Sequence, residues 1–133
     1  MKVLIDTNIF ISAILNPDGS PSKAFFKAVT HPNKGLICEQ NLDELRRVFN
    51  RKFSTKLSAL ETFLASALTT IEVVPVPNRE YALENSIRDM MDRLILRASI
   101  KADVDILLTG DKDFLESGIK RPRIMTASEF IKF

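Results

Sequence analysis

The sequence is poor in the residues that most often announce a chemistry. It has one cysteine, Cys38, which excludes an internal disulfide framework and a cysteine-rich zinc site. Cys38 ends an apolar run and reads as a small buried hydrophobe. The one histidine, His31, lies in a His-Pro-Asn turn and reads as solvated. Tryptophan is absent and Tyr81 is the only tyrosine, so little is available for stacking on bases. The phenylalanines fall mostly on apolar faces and are expected in the core, Phe26 and Phe133 included. No apolar run approaches ~18 residues, so no bilayer-spanning helix is expected. The opening Met1-Lys2-Val3-Leu4-Ile5-Asp6 is too short in its apolar part for a signal peptide, and the cytoplasm is the expected compartment. Net charge is +2, because 19 basic and 17 acidic residues nearly cancel, so charge alone names no partner.

What is present is a globular composition. The chain has 133 residues, 45% apolar and 27% charged, which fits a single domain over residues 1–133 with a real core. Val3–Ile5, Leu36–Cys38, Ile71–Val76, Val104–Leu108 and Arg123–Met125 read as short buried strands. Helices are predicted over Ile9–Leu15, Lys23–Val29, 41–49, 54–68, from Arg79 to a break near Arg88, over Met91–Lys101, over a short stretch to Glu116, and after Thr126. Alternating strands and helices, with strands as unbroken apolar runs, predict a three-layer α/β/α sandwich around a mostly parallel sheet. In such sheets ligands gather at the carboxyl ends of the strands.

That rule directs attention to acids. Asp6 follows the first strand and Asp111 follows the Val104–Leu108 strand, each just before a helix. Each also suits a plain helix cap, so neither is informative alone. On the 41–49 helix, Glu44 lies at the edge of the apolar arc of Leu42, Leu45, Val48 and Phe49, while Asp43 faces water. Asp92 heads the apolar stripe of Ile95, Leu96 and Ser99, where an unpaired carboxylate is costly. Four carboxylates drawn to one point repel and call for a cation. Oxygen donors alone suit Mg²⁺ or Mn²⁺, which activate water and position phosphate. Asp113 is a fifth candidate ligand. Thr7, Asn8 and Thr109 are candidates to orient the carboxylates by hydrogen bonds.

Four segments carry a family resemblance: Val3-Leu4-Ile5-Asp6-Thr7-Asn8-Ile9-Phe10, Leu42-Asp43-Glu44-Leu45, Arg88-Asp89-Met90-Met91-Asp92 and Leu108-Thr109-Gly110-Asp111-Lys112-Asp113-Phe114. In order and spacing the chain resembles the PIN-domain family, and within it the VapC-like ribonucleases that are the toxins of toxin–antitoxin pairs. The resemblance implies the three-layer fold and a Mg²⁺- or Mn²⁺-dependent endoribonuclease. It implies an acidic tetrad of Asp6, Glu44, Asp92 and Asp111, with Asp113 as an extra acid and Thr7, Asn8 and Thr109 in support. One departure stands out. The family often has proline in an Arg-Asp-Pro-x-Asp run, and here the third place is Met90. Asp89 then competes with Asp92, from which it lies about 60° away on the helical wheel.

The expected reaction is in-line attack of water on an RNA phosphodiester, leaving a 5′-phosphate and a 3′-hydroxyl. Acids alone repel RNA, so cations at the mouth are expected to engage phosphates: Arg46, Arg51, Arg88, Arg93 and Lys112. Lys120, Arg121 and Arg123 form a second basic patch. Phe10, Ile11, Ile14 and Leu15, with Phe130, Ile131 and Phe133, suggest a surface for a homodimer partner or a cognate antitoxin protein. The alternative to the enzyme is the same fold with a silent site, used to bind RNA or protein. A dehalogenase-type phosphatase is disfavoured because position 8 is Asn rather than a second Asp. A receiver domain is disfavoured because no acidic pair precedes Asp6.

Overall fold

The computed structural model describes residues 1–133. It has five strands, β1 (Lys2–Ile5), β2 (Lys34–Cys38), β3 (Glu72–Val74), β4 (Ile106–Leu108) and β5 (Arg123–Met125). All neighbouring strands pair in parallel, in the order β3-β2-β1-β4-β5. The helices are α1 (Thr7–Leu15), α2 (Ser20–Val29), α3 (Glu39–Lys52), α4 (Leu57–Ala67), α5 (Met90–Lys101), α6 (Lys112–Leu115) and α7 (Ala127–Lys132).

Alternation along the strands divides the core in two. Val3, Ile5, Ile37, Ile106 and Leu108 face one way, against α1 to α4 and α7. Leu4, Leu36, Cys38 and Leu107 face the other way, against α5, Phe114 of α6 and Ile119. β1 is wholly apolar apart from Lys2, as a central strand covered on both faces must be. Strand order reverses at β1, which lies between β2 and β4. The carboxyl ends of β1 and β4 are therefore the switch point. No helix is long and apolar enough to cross a membrane.

Several expectations need correction. The helix expected from Arg79 is absent; the segment between β3 and α5 is irregular apart from a 3₁₀ turn at Ala82–Ser86. What orders it is a buried ion pair rather than periodicity. Arg97 of α5 donates from Nε to Glu84 Oε2 at 3.1 Å and from Nη2 to Oε1 at 2.9 Å. It also donates from Nη1 to the Pro77 carbonyl at 3.2 Å. Burial pushes Glu84 up, but the Arg97 hydrogen bonds, the Tyr81 N–H and the Arg97 charge outweigh it and hold the carboxyl below its usual value. The proposed apolar surface is also divided. Phe10 and Phe130 are core residues, whereas Leu15, Ile131 and Phe133 are exposed. Phe26, expected inside, is 60% exposed on α2.

Candidate metal centre

Each acid reaches the switch point by a local device. Asp6 ends β1 and caps α1, accepting from Thr7 N at 2.8 Å. Asp111 caps α6, accepting from Asp113 N at 2.9 Å. The cap of α5 is Asp89, whose Oδ1 accepts from Met91 N at 2.8 Å and Asp92 N at 3.2 Å. That cap fixes Asp92 in the first turn, with its side chain turned inward and almost buried. The Asp89 cap thus starts the helix at Met90, one residue earlier than the sequence suggests. Glu44 sits half-buried one turn into α3.

Together these side chains define a cleft of about 480 Å³, lined by Glu44, Asp92, Asp111 and Asp113, with Asp89, Arg47 and Arg51. Carboxylate oxygens of Asp92, Asp111 and Asp113 lie within 4.8 Å of one another. Asp6 is 5% exposed and sits behind the wall. Its Oδ1 accepts from Asn41 Nδ2 at 3.0 Å as well as from Thr7 N. Its Oδ2 accepts from the Thr109 hydroxyl at 2.7 Å, across 103 positions of sequence. The same Thr109 oxygen accepts from Asp111 N at 3.0 Å, so one hydroxyl ties two acids together. Asn8 Oδ1 accepts from Gly110 N at 3.3 Å and pins the loop that carries Asp111.

The acids perturb one another. Burial pushes Asp6 up, and the Asp111 charge adds to this against three donors that pull it down. Burial raises Glu44 too, followed by the charge of Asp6, with Arg47 opposing. Asp92 is pushed up to about 8, by burial first and then by the charges of Asp111, Asp6 and Asp89. Carboxylates from four separate segments therefore share one electrostatic site.

The donor set fits a hard divalent cation. Every group is an oxygen, and the nearest counter-charge on Asp113 is Arg88 at 3.4 Å, whose side chain is 91% exposed. The Thr7 hydroxyl is buried with no hydrogen-bond partner. It pulls the Glu44 carboxyl down, against the burial and the charges that raise it. Close carboxylates whose mutual repulsion a dication would relieve fit such an ion.

The cations expected at the mouth are scattered. Arg51 lines the cleft and Arg88 pairs with Asp113 at its edge. Lys112 is exposed on α6 next to Asp111. Arg46 turns toward α4, where it meets Glu61 at 3.4 Å. Arg93 is half-buried and donates from Nε to the Ile87 carbonyl at 2.6 Å. Arg47, one helical turn after Asp43, also lines the cleft. Lys120, Arg121 and Arg123 line a separate cleft of about 340 Å³, at the other end of β4 and β5. The sequence reading missed Asn41, which it took as a helix opener. Its position one turn before Leu45 and two before Phe49 was the available signal, since an amide on an apolar face needs a partner.

The sequence model of the PIN domain matches residues 2–113. An uncharacterised protein of Methanocaldococcus jannaschii, MJ1680, is 28% identical over 120 residues, covering 86% of this chain and 74% of that protein. VapBC2 from Rickettsia felis, solved bound to a DNA fragment from its promoter, superposes with a TM-score of 0.71 at 20% identity, covering 95% of this chain and 98% of that one. VapC20 of Mycobacterium tuberculosis, a toxin that cleaves the sarcin–ricin loop, superposes with a TM-score of 0.64 at 16% identity, covering 88% and 95%. At these identities the structural likeness establishes the fold.

Proposed function

The chain belongs to the PIN-domain family, and from that premise we propose that it is a Mg²⁺- or Mn²⁺-dependent endoribonuclease, the toxin of a toxin–antitoxin pair. One observation carries the nuclease reading: acids from distant segments converge on a single switch point, where carboxylate oxygens of Asp92, Asp111 and Asp113 lie within 4.8 Å of one another, Glu44 lines the same cleft, and Thr109 ties Asp6 to Asp111. The toxin reading rests on the likeness to VapBC2 and VapC20. The proposed partners are an RNA substrate, an antitoxin protein and a second copy of the chain, and the proposed compartment is the cytoplasm.

Asp92, Asp111 and Asp113, whose carboxylate oxygens lie close together, would hold the cation, with Asp6 and Glu44 as further ligands from the other side of the switch point. A divalent ion there supplies Lewis acidity toward a phosphate oxygen and a water made acidic enough to attack at neutral pH. The protein's own part is orientation. Thr109 and Asn8 fix Asp6 and Asp111 relative to each other before substrate arrives. Arg47, Arg51 and Lys112 stand where flanking phosphates of an RNA strand would pass, offsetting the repulsion from the acids.

The test is cleavage of total RNA with Mn²⁺ or Mg²⁺. The wild type is expected to cut and EDTA to stop it. Asp111→Asn is expected to lower the rate by about 100-fold or more, since metal activation supplies several kcal/mol. A wild type that binds RNA and never cuts would leave the silent binding module as the reading.

A further inference from the structure

We infer that Asn41 is a positioning residue for Asp6, which it restricts to presenting a single oxygen, Oδ2, to the cation; this rests on the nuclease reading above. Asn41 is in the first turn of α3 and has no exposed surface. Its neighbours on the inward face of that helix, Leu45 and Phe49, are fully buried apolar residues. An apolar side chain would suit the position better. Burying an amide costs free energy unless its polar atoms are paired, and Asn41 Oδ1 has no partner. The single side-chain hydrogen bond that Asn41 makes is the one from Nδ2 to Asp6 Oδ1.

Counting acceptor sites shows what that bond does. Each carboxylate oxygen has two lone-pair positions. On Asp6 Oδ1 both are taken, one by Thr7 N at 2.8 Å and the other by Asn41 Nδ2 at 3.0 Å. On Oδ2 one is taken, by the Thr109 hydroxyl at 2.7 Å. The remaining lone pair of Oδ2 is the one free position on Asp6. Thr7 N and Thr109 are fixed by the backbone that carries Asp6 and by β4. Asn41 is the one donor supplied by a different helix, and it occupies the lone pair of Oδ1 that the other two donors leave open. It acts through Asp6 and touches neither the cleft nor the substrate.

The assignment predicts opposite behaviour for stability and metal binding. Asn41→Leu removes the donor and fills the space with an apolar side chain of similar size. Its metal-free melting temperature is expected to match or exceed that of the wild type, while its Kd for Mn²⁺, titrated alone by calorimetry, rises about 10- to 100-fold, as when the partner of a metal ligand is lost. A residue with a merely structural role would lower the melting temperature and leave the affinity of the folded protein unchanged. Asn41→Ala, which also removes the donor, gives a second comparison should the leucine variant fail to fold. Its Kd for Mn²⁺ is expected to rise by a similar factor. Wild-type affinity in Asn41→Leu, or in a folded Asn41→Ala, would overturn the assignment. Failure of the wild type itself to bind Mn²⁺ would overturn the metal-centre reading instead, so the two failures are distinct.

Discussion

Burial and the charges of Asp111, Asp6 and Asp89 push the Asp92 carboxyl up to about 8, against an ordinary value of 3.8. Between those values the native state holds a proton that the unfolded chain has released. The stability Asp92 contributes is therefore complete below its unfolded value and is lost as pH rises through its folded one. Asp6 and Glu44 are displaced in the same direction and act with the same sign. In EDTA, the melting temperature is expected to fall from about pH 4 to about pH 8, and Asp92→Asn is expected to flatten that fall. Mn²⁺ requires ionised carboxylates, so its stabilising effect is expected to grow over the same range. Scanning fluorimetry with and without Mn²⁺ measures both. A wild-type melting temperature that does not change with pH in EDTA would contradict the shared-charge description of the site.

Helix α5 separates two acids that the sequence left in competition. Asp89 caps the helix and is exposed, whereas Asp92 points into the cleft from the first turn. Asn is as good a cap as Asp, so Asp89→Asn is expected to keep both the helix and most of the Mn²⁺ affinity. Asp92→Asn is expected to raise the Mn²⁺ Kd by about tenfold or more, the scale of a lost charged ligand. Equal losses in the two variants would mean that Asp89 shares the cation. The same helix shows where sequence reading succeeds and where it stops. β1 and β4 were legible because a strand covered on both faces has to be an unbroken apolar run, and the acid after each followed from the rule for parallel sheets. The stretch from Arg79 to Arg88 was misread as helix because its order comes from Arg97, which closes on Glu84 from thirteen positions away. Long-range pairing of that kind leaves no local period. Asn41 was hidden for the same reason, since its partner Asp6 lies 35 positions away.

At the scale of the molecule, a net charge of +2 conceals a concentration of acid at one end of the sheet. An RNA strand entering that end needs cations on the rim, and the geometry favours Arg47 and Arg51 over Arg46, which is paired with Glu61. RNA binding is therefore expected to weaken steeply with salt. Arg47→Ala and Arg51→Ala should each reduce the slope of log affinity against log salt by about one, and Arg46→Ala should leave it unchanged. Filter binding across a salt series reads this directly, and an unchanged slope in all three variants would place the RNA path elsewhere. The nuclease reading depends on a dication bound at that end of the sheet. Anomalous diffraction from crystals soaked in MnCl₂ tests that claim with least inference: a peak is expected at the cleft among the carboxylates of Asp92, Asp111, Asp113 and Asp6. A well-ordered map with no peak there, or with manganese bound only on another face, would contradict it.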